Sequence, residues 1–291
     1  MERKKKINRL PPEEKNNILK NSRSSFVHGI EHLVKYANDK KHIKFAILHT
    51  FHAVELITKA HLGEVNIALL RPNIDQENSK TADMHTLIKR MTEFSEVQFS
   101  QELISKIEKL RIKRNEIEHK KFILENEKEI LEILFDVIYQ LMVFSKENLK
   151  EDLRLGLSPK LKDKLDKIRL ELDPRLKKAV ENIDKIKREK PNIQIAECPY
   201  CLNETVAYYK ESRVKCFYCQ KELFVLRCAR CNKLYLTKDI EEEAIRGKIC
   251  PDCYHEELDD SEEGYAQAIE VGNELEKTIK EMKESLPEEK F

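Results

Sequence analysis

The stretch Arg111-Ile112-Lys113-Arg114-Asn115-Glu116-Ile117-Glu118-His119 carries an Arg-Asn-x3-His string at the end of an amphipathic segment. That segment begins at Ser100, a capping residue, and Leu103, Ile104, Ile107, Leu110, Ile112 and Ile117 follow at helical spacing. A helix with one apolar face must bury that face against other elements. Segments of the same kind flank it on both sides.

On the N-terminal side, a basic, frayed lead-in over residues 1–20 precedes Ser24 or Ser25. Either can cap a helix through Ile30, Leu33, Val34 and Tyr36. A longer helix is expected over 42–70, with Phe45, Ile47, Leu48, Phe51, Val54, Leu56, Ile57 and Leu62 on a broad apolar face and Arg71-Pro72 as its stop. After a polar loop over 73–82, Asp83 caps a short helix carrying Leu87, Ile88 and Met91. On the C-terminal side, Glu127 to Asn148 forms the last helix of the set and turns Ile130, Leu131, Leu134, Val137, Ile138, Leu141 and Phe144 inward. Helices of this length with short connections make an antiparallel bundle over residues 20–150.

Beyond the bundle, residues 151–192 alternate Lys, Leu, Asp and Ile and read as a charged helical spacer. Ser158-Pro159 and Asp173-Pro174 each pair a capping residue with Pro at the first helical position. After Pro191 the period changes to two. Thr205 to Tyr209 and Arg213 to Lys215 predict a hairpin, with Leu223 to Leu226 as a third strand. This β-rich module covers residues 193–256, and an acidic helical tail covers 257–291. The fold class is therefore mainly α, with a small β module.

Composition agrees. Hydrophobic residues at 40% suffice for a core, and 37% charged residues describe helices with charged outer faces. Six glycines and no tryptophan in 291 residues argue against an all-β sandwich or a glycine-rich nucleotide fold. The net charge of +1 conceals an uneven distribution. Glu256 to Phe291 holds 13 acidic and 4 basic residues, a net −9, so the rest of the chain carries +10. Such a block is a solvated tail, or a competitor with nucleic acid for the basic surface. No apolar run follows the basic start, which excludes a secretory signal, and Glu132, Asp136 and Gln140 interrupt the most apolar segment. The expected setting is soluble, cytoplasmic and reducing, where paired cysteines mean metal before disulfides.

Eight cysteines stand in four Cys-x2-Cys pairs: Cys198/Cys201, Cys216/Cys219, Cys228/Cys231 and Cys250/Cys253, separated by 14, 8 and 18 residues. A Cys-x2-Cys loop points two thiolates at one tetrahedral ion, and two loops close a structural site with no open position. Four loops imply two structural Zn2+ ions in a double zinc ribbon, and the spacing does not exclude iron. Sequential pairing, 198/201/216/219 and 228/231/250/253, fits ribbons that each carry their own metal. Cross-bracing, the first loop with the third, is the rival. His255 is expected at the surface. The ions substitute for a core that so polar a module cannot build. Lys210, Arg213, Lys215 and Lys221, interleaved with Tyr208, Tyr209, Phe217 and Tyr218, suit a phosphate backbone and stacked bases. They equally suit aromatic support for a module that binds protein.

The chemistry offered by Arg114, Asn115 and His119 needs no metal. A histidine titrating at about 6.5 can take a proton from a ribose 2′-hydroxyl or give one to the leaving oxygen. An arginine can hold the phosphate and the charge that builds on it. Asn115 can orient either one. Asn115 and His119 lie about 40° apart on an ideal helix, but Arg114 and His119 lie about 140° apart. Such a site requires a helix end, a bend or a second copy of the chain. Arg23 and His28 repeat the Arg-x4-His spacing without the Asn.

Two features together resemble a known family. The segment Ala53-Val54-Glu55-Leu56-Ile57-Thr58-Lys59-Ala60 in the long second helix, and Arg114-Asn115-x3-His119 before the last, are similar to HEPN domains. The resemblance covers about residues 20–150. It implies a metal-independent endoribonuclease of toxin or antiviral type, acting on RNA as a homodimer. Arg114, Asn115 and His119 would be its catalytic set, and the products would end in a 2′,3′-cyclic phosphate. A protein regulator or antitoxin is an implied partner. The Tyr found two residues past the His in toxins silenced by a nucleotidyltransferase is Lys121 here, which puts that regulation in doubt. The cysteine module lies outside the resemblance. The alternative is a non-catalytic HEPN-like scaffold that binds nucleic acid or protein. A zinc-ribbon transcription factor is weaker, since no basic recognition helix accompanies the ribbons.

Overall fold

The computed structural model describes residues 8–75, 80–119, 126–209, 211–238, 249–250 and 253. Among them are seven α-helices and five short strands. The chain divides into two units, Met1–Lys185 with Tyr200–Glu204, and Ile186–Pro199 with Thr205–Phe291.

The first unit is helical. Its helices are α1 (Pro12–Tyr36), α2 (His42–Val65), α3 (Met84–Phe94), α4 (Gln101–His119), α5 (Glu127–Leu149) and α6 (Pro159–Leu172), with α7 (Pro174–Glu189) starting in the same unit. Capping residues set many of these starts. Side-chain oxygens of Asp83, Ser100, Asn126, Ser158 and Asp173 accept from the amides of Thr86, Leu103, Glu129, Leu161 and Leu176 at 3.0–3.3 Å. Each satisfies a donor that the helix itself leaves unpaired.

Helix α1 begins twelve residues before the expected Ser24, so much of the supposed lead-in is ordered. Pro12 opens it without losing a needed donor, and Glu13 and Glu14 favour the positive end of the helix dipole. Ser24 and Ser25 are interior to it. The Ser25 hydroxyl bonds His52 Nδ1 at 2.9 Å, and Ser22 donates to the Ala53 carbonyl at 3.3 Å. Gly29 permits the close approach of α1 and α2, since a Cβ there would meet Thr50 Oγ1 at 2.9 Å. Before α1, Leu10 donates to the Gly63 carbonyl and Ile67 to that of Asn8, both at 2.8 Å. Residues 8–10 are thereby tied to the end of α2. Helix α2 also stops earlier than expected, and a 3₁₀ turn over Ile67–Leu70 completes the segment.

Phe26, Ile30, Leu33, Ile47, Ile57, Leu87, Ile107 and Leu134 form the centre of the core. Two residues expected inside are not: Phe45 is 43% and Ile112 46% exposed. Leu103, Ile107 and Leu110 form the buried stripe of α4, and Ile112 lies about 200° round the helix from Leu110. The expected spacer is more than a connector. Leu165 of α6 joins the bundle core, Tyr139 donates to Asp166 Oδ1 at 2.8 Å, and the Arg169 guanidinium lies 3.4 Å from the centre of the Tyr139 ring. No helix among the described residues is long and apolar enough to cross a membrane.

The second unit contains the strands. β1 (Gln194–Ala196) pairs antiparallel with β2 (Val206–Tyr208), in register Ile195 with Ala207. β3 (Arg213–Lys215), β4 (Glu222–Arg227) and β5 (Leu234–Thr237) form an antiparallel sheet in that order. The expected hairpin between 205–209 and 213–215 is therefore corrected. β2 takes its ladder from β1, and β3 from β4, because the cysteine loops between those strands turn the chain. The acidic tail, residues 257–291, lies outside the described residues.

Candidate functional site

Two of the cysteine loops share one backbone solution. Cys216 and Cys228 donate to the carbonyls of Lys221 and Lys233, and Gln220 and Asn232 donate back to those of Cys216 and Cys228, all at 2.8–3.0 Å. Leu202, Gln220 and Asn232, each directly after the second cysteine of a pair, have φ of 54°, 61° and 63°. Left-handed backbone at three non-glycine residues costs energy that something in each loop must offset.

The sulfurs of these loops converge. Cys198, Cys201, Cys216 and Cys219 gather in one group and Cys228, Cys231, Cys250 and Cys253 in another, with sulfurs within 4.8 Å of each other in each. The grouping is sequential. Cys198 and Cys219 sulfurs lie 3.7 Å apart, as do those of Cys231 and Cys250. A tetrahedral ion bound at about 2.3 Å places its sulfurs about 3.8 Å apart, whereas a disulfide needs about 2.05 Å. Amides point at sulfur: Cys219 donates to Cys216 at 3.4 Å, and Cys231 and Cys250 donate to Cys228 at 3.5 and 3.3 Å. Those amides lower the Cys228 thiol to about 6, while burial among the other thiols raises Cys253 to about 12. Four sulfurs so placed suit a cation. The residues fit a metal ion in each group.

The Arg-Asn-x3-His string lies at the exposed end of α4, which His119 closes. Arg114 Nη1 donates to Asn115 Oδ1 at 3.2 Å, and its guanidinium carbon lies 5.9 Å from the centre of the Phe51 ring. Arg114 Nε pairs with Glu118 Oε2 at 3.0 Å, and the same oxygen lies 3.8 Å from His119 Nε2. The His119 side chain is 72% exposed. Glu118 thus bridges the two residues that helical spacing separates. The signal for it in the sequence is the i, i+4 spacing of Arg114 and Glu118, which places the carboxylate over the guanidinium. Lys121 lies outside the described residues.

On the cysteine module, Tyr208 is buried and supports the ribbon, while Tyr209, Arg213, Lys215 and Lys221 are exposed. Arg213 leans over the Phe224 ring at 5.2 Å. Lys210 and His255 lie outside the described residues.

A histidine ladder runs along α1 and α2. His28, His49, His32 and His42 follow one another at ring separations of 5.6, 5.6 and 5.0 Å. Burial, and the neighbouring His42 and His49, lower the pKa of His32; burial and the neighbouring His28 and His52 lower that of His49. Sequence reasoning misses this cluster. Its members are divided between two helices, and only the packing of α1 on α2 joins them.

Compared with known protein families, with curated proteins and with solved structures, the chain matches none.

Proposed function

We propose that the chain is a HEPN-type endoribonuclease whose cysteine module holds two structural zinc ions. The observation that carries the reading is Arg114, Asn115 and His119 together at the solvent-exposed end of α4. In this reading Arg114 holds the scissile phosphate, Asn115 orients it, and His119 transfers the proton of the 2′-hydroxyl or of the leaving oxygen. No step uses a metal. A second copy of the chain completes the cleft, and the ribbons select or hold the target. The setting is a reducing cytoplasm, in a toxin or antiviral role.

The pairing of Arg114 with Glu118 favours a second reading, a scaffold that binds nucleic acid or protein without cutting. Both side chains are about one-third exposed, and such a pair contributes about 0–1 kcal/mol. A bidentate phosphate contact is stronger, so RNA displaces Glu118.

The test is cleavage of total RNA in EDTA by wild type and by His119→Ala, under chelation brief enough to keep the ribbons folded. The expected result is cyclic-phosphate ends from wild type and a loss of about 100-fold or more in the variant. If both proteins leave RNA intact but retard it on a gel, the scaffold is the correct reading.

A further inference from the structure

We propose that His32 and His42, with His49 as third ligand, form a binding site for a borderline divalent transition-metal ion, separate from the cysteine groups. The site lies on the outer face of the α1–α2 pair and does not depend on the ribonuclease reading.

The geometry starts from one contact. His32 Nδ1 and His42 Nδ1 face each other at 2.8 Å. That contact uses the two nitrogens nearest the backbone, so each ring is aimed at the same point from a different helix. An ion bound by imidazole nitrogen at about 2.0–2.1 Å in tetrahedral geometry sets its ligands about 3.3 Å apart. The pair reaches this by opening about 0.5 Å, within reach of small side-chain rotations. His49 lies one level along α2, its ring parallel to that of His32 within 3° and 5.6 Å away. Among the described residues, no third ligand atom lies within 4.8 Å of both nitrogens, so His49 must turn toward them. His28 pairs instead with Glu31 at 3.3 Å and is not a ligand.

The chemistry balances without an added reactant. In the metal-free pair, one ring donates its Nδ1 proton to the other. Metal binding takes both Nδ1 lone pairs, and the donor ring's proton moves to its own Nε2 through solvent. The proton count is unchanged, and each ligating nitrogen offers a lone pair. Imidazole donors suit Zn2+, Cu2+ and Ni2+, and discriminate against Mg2+ and Ca2+, which take oxygen. The two helices pack closely here. Gly29, beside His28, allows the helices to close, and Ile43 and Ala46, beside His42 and Phe45, are buried. The histidines themselves are half-buried, open enough for an ion to enter.

The experiment uses the full chain with its cysteine groups first saturated with Zn2+ and freed of excess. Ni2+ is then titrated by calorimetry, bound ions are counted by native mass spectrometry, and histidine nitrogens are followed by NMR. Wild type should gain one Ni2+ per chain, with the donor ring of the His32–His42 pair shifting to the Nε2–H form and both Nδ1 signals moving. His32→Gln and His42→Gln should each lose that ion, His49→Gln should weaken it, and His28→Gln should leave it unchanged. Zinc content should stay constant throughout. The proposal is overturned if wild type takes up no further ion, or if the ion survives both His32→Gln and His42→Gln. Should either of those variants unfold, the nitrogen shifts of wild type alone decide.

Discussion

In the helical unit, Phe26, Ile30, Ile47, Ile57 and Leu134 are almost wholly excluded from water. In the cysteine module, the buried cluster around Cys228 is Tyr235, Cys250 and Cys253. The first region is held by apolar burial, which acts without direction and is spread over many side chains. The second has little apolar surface, and its two cysteine groups could each give a metal ion a few directed bonds. The two regions should therefore fail under different insults, and each failure tests the comparison.

Metal removal has the largest expected effect. Structural zinc in small domains binds with about 10–16 kcal/mol of apparent free energy, most of which is folding energy. Prolonged chelation, or Cys216→Ser together with Cys228→Ser, should abolish hydrogen-exchange protection over β2 to β5. The helical circular dichroism signal should persist. Loss of both signals together would show that the helical unit needs the ions as well.

A cavity in the bundle should do the opposite. Leu134→Ala, at a position with no solvent exposure, should cost the helical unit about 2–5 kcal/mol in denaturant unfolding. Zinc content measured on the folded fraction should not change.

Acid acts on the bundle through buried histidine. His61 Nε2 donates to Ser95 Oγ at 2.7 Å, and the Ser95 proton goes to the Val97 carbonyl. Burial lowers the His61 pKa below its ordinary value of about 6.5. As pH falls past 6.5 the unfolded chain takes the proton first, so stability is full above that pH and declines below it. His32 and His49 shift the same way. The thermal midpoint of helix loss should drop between pH 7 and 5. His61→Gln should flatten that slope, and an unchanged slope would refute the assignment.

The smallest effect is a helix cap. Asp83→Ala removes the acceptor of the Thr86 amide at the start of α3 and should cost about 1 kcal/mol, with no change in bound metal. A cost seen in the cysteine module instead would erase the distinction.

Local features are legible in the sequence. Asp83, Ser100, Ser158 and Asp173 cap the helices that their positions predict, because a cap reaches only three residues along the chain. Phe45 and Ile112 mislead, since an apolar side chain satisfies helical spacing whether or not a neighbour covers it. The start of α1 is hidden because Pro11-Pro12 resembles a loop, and only Leu19 and Leu10 packing on the core extends the helix to it.

What the sequence by itself determined is the helical character of the first unit, its caps, and the presence of four cysteine pairs. These depend on spacing within about one turn of chain. The tertiary structure alone decided which cysteine pairs share a site, that β2 pairs with β1, and that four histidines line up across two helices. Those outcomes depend on which faces meet, and burial of apolar surface chooses the faces without regard to distance along the chain.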